Sequence, residues 1–149
     1  MKKIPLTQGK FALVDDEDFE YLTQWKWTYN PLGYAYRKSQ HKNKVTCVYM
    51  HCFILNEKYI DHKNGNGLDN RKKNLRKCNH FTNKFNRPKQ SNNTSGYKGV
   101  TKSPTPGKWI AQIAAYKKHI YLGTFKTAKE AHEAYVKAAK KMHKEFAKW

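Results

Sequence analysis

The stretch from Asn70 to Lys129 contains no aspartate or glutamate. Acid is scarce elsewhere too: 11 Asp and Glu stand against 30 Lys and Arg, a formal net charge of +19 over 149 residues. Such an excess repels itself in a compact chain, and its natural counterpart is a polyanion. Charge alone leaves a DNA-binding and an RNA-packing protein both open. No apolar run approaches membrane-spanning length, and Met1-Lys2-Lys3-Ile4-Pro5 has the charge of a signal peptide without the apolar core that should follow. The expectation is a soluble cytoplasmic protein with no membrane partner and no small-molecule substrate. The three cysteines, Cys47, Cys52 and Cys78, form no C-x-x-C pair, which argues against a zinc ribbon. An odd count suits reduced thiols acting as small buried hydrophobes. There is no internal repeat.

What is abundant is aromatic: 14% of the residues, spread along the whole chain. That favours two compact units over a disordered basic tail. Phe11–Val14 reads as a strand, and the acidic run Asp15 to Glu20 as a helix start, since carboxylates suit a helix N-terminus. Leu22, Trp25 and Trp27 are core candidates. Tyr34–Tyr36 and Val45–Tyr49 read as strands separated by the turn-rich residues 39–44, and periodicity does not classify Met50–Leu55. Residues 86–96 are polar and broken by Pro and Gly, the composition of a linker. Trp109–Ile113 and His119–Gly123 are strand-like. Thr127-Ala128-Lys129-Glu130 matches a capping box, followed by Ala131, Ala134, Tyr135, Ala138, Ala139 and Met142 at helical spacing. So small a stripe predicts a helix lying close against a sheet.

Residues 59–87 carry a chemical constellation. Asp61 offers a hard oxygen and His62 an imidazole that exchanges a proton near neutral pH. On a regular strand these neighbours point to opposite faces, so a break is needed to aim both at one phosphate. Asn64-Gly65-Asn66-Gly67 offers one. A short helix is expected from about Asn79, with Asn83 inside it. The order Asp61-His62-x-Asn64-Gly65, then Asn70 to Asn74-Leu75-Arg76, then Asn83, resembles the HNH endonuclease family in its phage and intron-encoded homing branch. The resemblance implies a β-hairpin and helix gripping one divalent metal, with Asp61 and Asn83 as ligands, His62 as general base and Asn74 tying the loop. Oxygen ligands favour one Mg²⁺ or Mn²⁺ per site. His80 is a substitute ligand one turn away, and His51 reads as a structural or phosphate-contacting residue. Arg71, Lys72 and Arg76, beside such a site, would hold backbone phosphates. A bacterial host cytoplasm follows from the same resemblance.

Residues 95–149 carry Ser95-Gly96-Tyr97-Lys98-Gly99-Val100, then Gly107 to Ile113, then Tyr121-Leu122-Gly123-Thr124-Phe125 and the alanine-rich helix. This pattern is similar to the Apetala/ethylene-response-factor DNA-binding domain. The resemblance implies a three-stranded antiparallel sheet backed by one helix, the sheet face entering the major groove of double-stranded DNA. Lys98, Thr101, Gln112, Ala114, His119 and Tyr121 would then fall at DNA-facing positions, with Lys102, Lys108, Lys117 and Lys118 supplying phosphate contacts. Plant members favour Arg, Glu and Trp at the sheet positions, so the sequence read here should differ.

The combined expectation is an α+β chain: an HNH ββα-metal module at 1–87, a linker at 88–95, and a sheet-and-helix DNA-binding module at 96–149. Its expected activity is metal-dependent phosphodiester hydrolysis in double-stranded DNA. The alternative is a non-catalytic, sequence-specific DNA-binding regulator.

Overall fold

A computed structural model describes the chain apart from residues 43, 80, 81, 87, 88, 116 and 117, and the side chains of His41 and Lys84. His80 and Lys117 therefore lie outside the described residues. The chain divides into two compact units, Met1–His80 and Phe81–Trp149. It is a mixed fold of small antiparallel sheets and helices.

In the first unit, β1 (Lys2–Pro5), a strand that the polar N-terminus did not announce, pairs with the expected β2 (Phe11–Val14). Alternation buries Ile4, Ala12 and Val14 on one face. α1 (Asp16–Leu22) follows, with Asp16, Glu17 and Asp18 in its first turn, where the helix dipole favours them. β3 (Thr28–Tyr29), β4 (Ala35–His41) and β5 (Lys44–Tyr49) form the next sheet in that order. β4 thus runs through residues expected to be a turn. α2 (Met50–Leu55) buries Met50 and His51 and stops at Asn56, in the left-handed region. β6 (Ile60–His62) pairs with β7 (Leu75–Lys77). The core gathers Ile4, Val14, Leu22, Trp27 and Met50, with Trp25 and Phe53 packed against it. Trp27 Nε1 donates to the Leu22 carbonyl at 2.8 Å, so its buried N–H is satisfied. The cysteines are not buried: Cys47 is exposed on the edge strand β5, and Cys52 and Cys78 are half-buried.

The second unit opens on the short α3 (Thr82–Phe85), and then β8 (Val100–Lys102), β9 (Trp109–Ala115) and β10 (Lys118–Phe125) make a three-stranded antiparallel sheet with β9 in the middle. α4 (Ala128–His143) packs on one face. Both halves of the capping box form: the Thr127 hydroxyl accepts from the Glu130 N–H, and the Glu130 carboxylate accepts from the Thr127 N–H. The helix lies close because its contact residues are small, Ala131 and Ala139 being fully buried beside Val100, Ala111 and Ile113. Gly99 completes the fit. Its φ is +76°, and a Cβ there would lie 2.0 Å from the Tyr135 ring. Residues 89–96 behave otherwise than their linker composition suggested. Polar side chains tie them down: Lys89 Nζ donates to the Gly96 carbonyl, Asn93 Nδ2 to that of Tyr97, and Ser95 Oγ to that of Val100 at 2.8 Å.

Among the described residues, no helix is long and apolar enough to cross a membrane.

Candidate nucleic-acid interface

The Asp61 constellation lies on the β6–β7 hairpin, and the pairing decides what each side chain meets. The register is continuous, Ile60 to Lys77, Asp61 to Arg76 and His62 to Leu75, with no bulge. Asp61 and His62 therefore stay on opposite faces of the ribbon, as a regular strand requires. Asp61 Oδ2 accepts from Arg76 Nε at 2.8 Å and Nη2 at 2.6 Å. The two side chains are 7% and 10% exposed, so this is a buried ion pair. On the other side, the His62 ring packs edge-on against His51, centroids 4.9 Å apart, and near Tyr34. His62 Nε2 lies 3.3 Å from Asn70 Oδ1. Burial pushes the His62 pKa down, partly offset by the Asn70 hydrogen bond and by Asp61 and Asp69. Burial and the neighbouring His62 hold His51 down at about 3. His51 is thus a neutral packing residue.

Asn74 organises the loop between the two strands. Its amide donates to Asn64 Oδ1 and the Asp69 carbonyl, and its Oδ1 accepts from the Asn64 N–H. The loop is tied to β2 as well, Leu13 donating to the Leu68 carbonyl and Asn70 to that of Leu13. Asn83 lies exposed on α3, in the second unit. Among the described residues, no group of three or more His, Cys, Asp and Glu is arranged to hold a metal ion. Arg76 holds Asp61 Oδ2, so a Mg²⁺ or Mn²⁺ at this carboxylate would share that oxygen with a guanidinium.

The basic residues expected to grip phosphate here are engaged within the unit. Arg71 makes a two-pronged contact with Asp69, Nε to Oδ1 at 2.7 Å and Nη2 to Oδ2 at 2.6 Å. Lys72 Nζ sits 2.6 Å from Glu17 and 3.0 Å from Asp18, and its backbone N–H donates to Asp15. Arg76 is the partner of Asp61. The acidic cluster of residues 15–18 thus serves partly to neutralise the lysine that follows the loop.

The sheet of the second unit presents the opposite situation. α4 covers the face carrying Ala111, Ile113 and Ala115, so alternation turns Ile110, Gln112 and Ala114 outward. Register sets Thr101 and Thr124 beside Ile110, Tyr121 beside Gln112, and His119 beside Ala114. A register shift between Tyr121 and Gly123 matters here. Three residues apart, Tyr121 and Thr124 would otherwise face opposite ways; the extra residue lets both face outward, and their hydroxyls lie 2.7 Å apart. Tyr121 is 63% exposed. Sequence alternation alone could have added Ile110 to the face; Thr124 required the irregularity.

Two lysines expected to contact DNA lie off this face. Lys102 follows Val100 in the pleat and pairs with Trp109, which puts it on the helix side at the strand end, exposed. Lys98 Nζ donates to the Phe85 carbonyl at 2.8 Å and the Lys148 carbonyl at 2.9 Å. Burial, with the charge of Lys148, lowers its pKa to about 8. Lys98 is an internal tether, because its stem is half-buried and its ammonium meets carbonyls before it meets solvent.

Residues 95–145 match the family model described as the AP2 domain. Over 55 residues the chain is 46% identical to the ethylene-responsive transcription factor ERN1 of Medicago truncatula, a stretch covering 36% of this chain and 20% of that protein. The chain thus spans about a fifth of the length of that relative. No solved structure matches. These findings overturn the enzymatic expectation. The matches are to the AP2 domain and to an ethylene-responsive transcription factor, and neither is to an HNH endonuclease. The expected hydrolysis of phosphodiesters falls with it. The physical reason is on the hairpin: an unbroken strand keeps Asp61 and His62 apart, and Arg76 takes the carboxylate.

Proposed function

We propose that this protein is a non-catalytic, sequence-specific regulator that binds double-stranded DNA through the outer face of the β8–β9–β10 sheet. The observation that carries the reading is a coincidence of place. The residues matching the AP2 domain are those that build an uncovered polar sheet face, in a unit with 15 Lys and Arg against 3 Asp and Glu. Such a face can enter a major groove, where Gln112 can bond an adenine edge and the Ala114 and Thr101 methyls can contact thymine. Exposed Lys108 and Lys118 flank the sheet and suit phosphates on either side.

The test is selection of duplexes by the full-length protein from a random pool, then binding measurements on the winner across a salt series. A defined site should emerge. Gln112→Ala should relax preference at one position by about 1–3 kcal/mol. Recovery of no common site, or equal competition by RNA, would refute the reading in favour of non-specific packing of nucleic acid.

A further inference from the structure

The sheet face does not stand alone. The turn at residues 89–94 forms one wall of an open groove of about 610 Å³, whose floor includes Thr101, Gln112, Ala114 and His119. Gln90, Asn92 and Thr94 line the opposite side and are exposed. The turn is built rather than loose. Asn93 N–H donates to the Gln90 carbonyl at 3.1 Å, and Asn93 and Ser95 bind it back to Tyr97 and Val100. The groove has no carboxylate in its lining. Its turn side offers amide and hydroxyl donors, the groups that bond phosphate oxygens without reading sequence.

We infer that this turn is a second DNA-contacting wall, and that the groove between it and the sheet seats one sugar-phosphate strand of the duplex. Gln90, Asn92 and Thr94 donate to successive phosphates while Gln112 and its neighbours address the bases. A hydrogen-bonded turn suits the role because little ordering entropy is lost on binding. The acid-free lining suits a polyanion and disfavours a cationic peptide. The inference rests on the DNA-binding reading above and adds residues upstream of the matched domain to its interface.

The experiment uses full-length protein and fluorescence anisotropy on two duplexes, the selected site and an unrelated sequence. Three proteins are compared: wild type, Gln90→Ala/Asn92→Ala, and Gln112→Ala as the sheet control. Both altered turn residues are exposed, so thermal melts should superimpose. The turn variant should lose affinity about tenfold on both duplexes, as expected for two neutral hydrogen bonds. Its salt slope should be unchanged, because no cation is removed. Wild-type affinity in the turn variant, with a weakened sheet variant, overturns the inference and leaves the DNA-binding reading standing. Loss confined to the selected duplex overturns the backbone assignment, since it makes the turn a reader of bases. No effect from either variant refutes both readings.

Discussion

The two units hold equal numbers of basic side chains, 15 Lys and Arg each, but 8 carboxylates lie in the first and 3 in the second. In the first unit Arg71, Lys72 and Arg76 each meet a carboxylate within hydrogen-bonding distance. In the second, Lys108 lies exposed just before β9 and Lys118 exposed at the start of β10. A count of positive residues is therefore a poor guide to where phosphate binds. What matters is how much charge has no partner in the fold. The first unit pairs Arg71, Lys72 and Arg76 with its own carboxylates, and the second has few carboxylates to pair with its cations.

The strongest way to break this contrast is to remove Asp61. Asp61→Ala leaves Arg76 buried without its counter-charge and should destabilise the first unit by about 3–5 kcal/mol. Urea unfolding followed by tryptophan fluorescence measures it, and Asp61→Leu/Arg76→Met should recover most of the loss. Full stability in Asp61→Ala would mean that Arg76 has no structural role. Next in size is Gly99→Ala in the second unit. It combines a positive φ with a Cβ driven into Tyr135, and should cost about 2–4 kcal/mol through strain and overpacking. DNA affinity should fall only as far as the unit unfolds.

Acid separates the units more gently. The folded His51 pKa of about 3 lies below its ordinary value, so the unfolded chain binds the extra proton first. Stability from this site is complete above about pH 6.5 and declines as pH falls toward 3. Between pH 6.5 and 5 the first unit should lose about 1.5 kcal/mol, a decline that His51→Phe should flatten. His143 is depressed by burial as well, despite the bond its Nε2 donates to the Ala114 carbonyl, so the second unit should weaken in the same direction. A pH-independent midpoint for the first unit would show that His51 is not held neutral.

The smallest effects sharpen the comparison most directly. Lys118→Ala should lower the salt slope of DNA binding by about 0.9, the loss of one phosphate contact. Lys72→Ala should leave the slope unchanged, because its ammonium is already shared by Glu17 and Asp18. Equal slope changes from both would dissolve the distinction between engaged and available cations.

Much of the second unit was legible because its signals are local. Alternation marked β9 and β10, the Thr127–Glu130 box marked the start of α4, and the alanine stripe announced close packing. The first unit was harder. Ile4 looked like part of a polar terminus until β2 gave it a partner, and β4 ran on through residues rich in turn formers because β5 paired with it. Residues 89–96 differ from expectation for another reason. Lack of apolar side chains suggests a linker, yet Asn93 and Ser95 tie this stretch to Tyr97 and Val100 by hydrogen bonds.

The sequence by itself determined a charge excess that no fold removes, and the sheet-and-helix form of the second unit, through periodicity and capping. Tertiary structure alone decided which cations are available. Arg76 finds Asp61 fifteen positions away, Lys72 finds Glu17 at a separation of fifty-five, and Lys98 finds the Lys148 carbonyl at fifty. Such pairings depend on register and chain return rather than spacing. The same holds for the irregularity that turns Thr124 outward beside Tyr121: one unpaired residue reverses every face beyond it, and only the pairing of β9 with β10 shows where it falls.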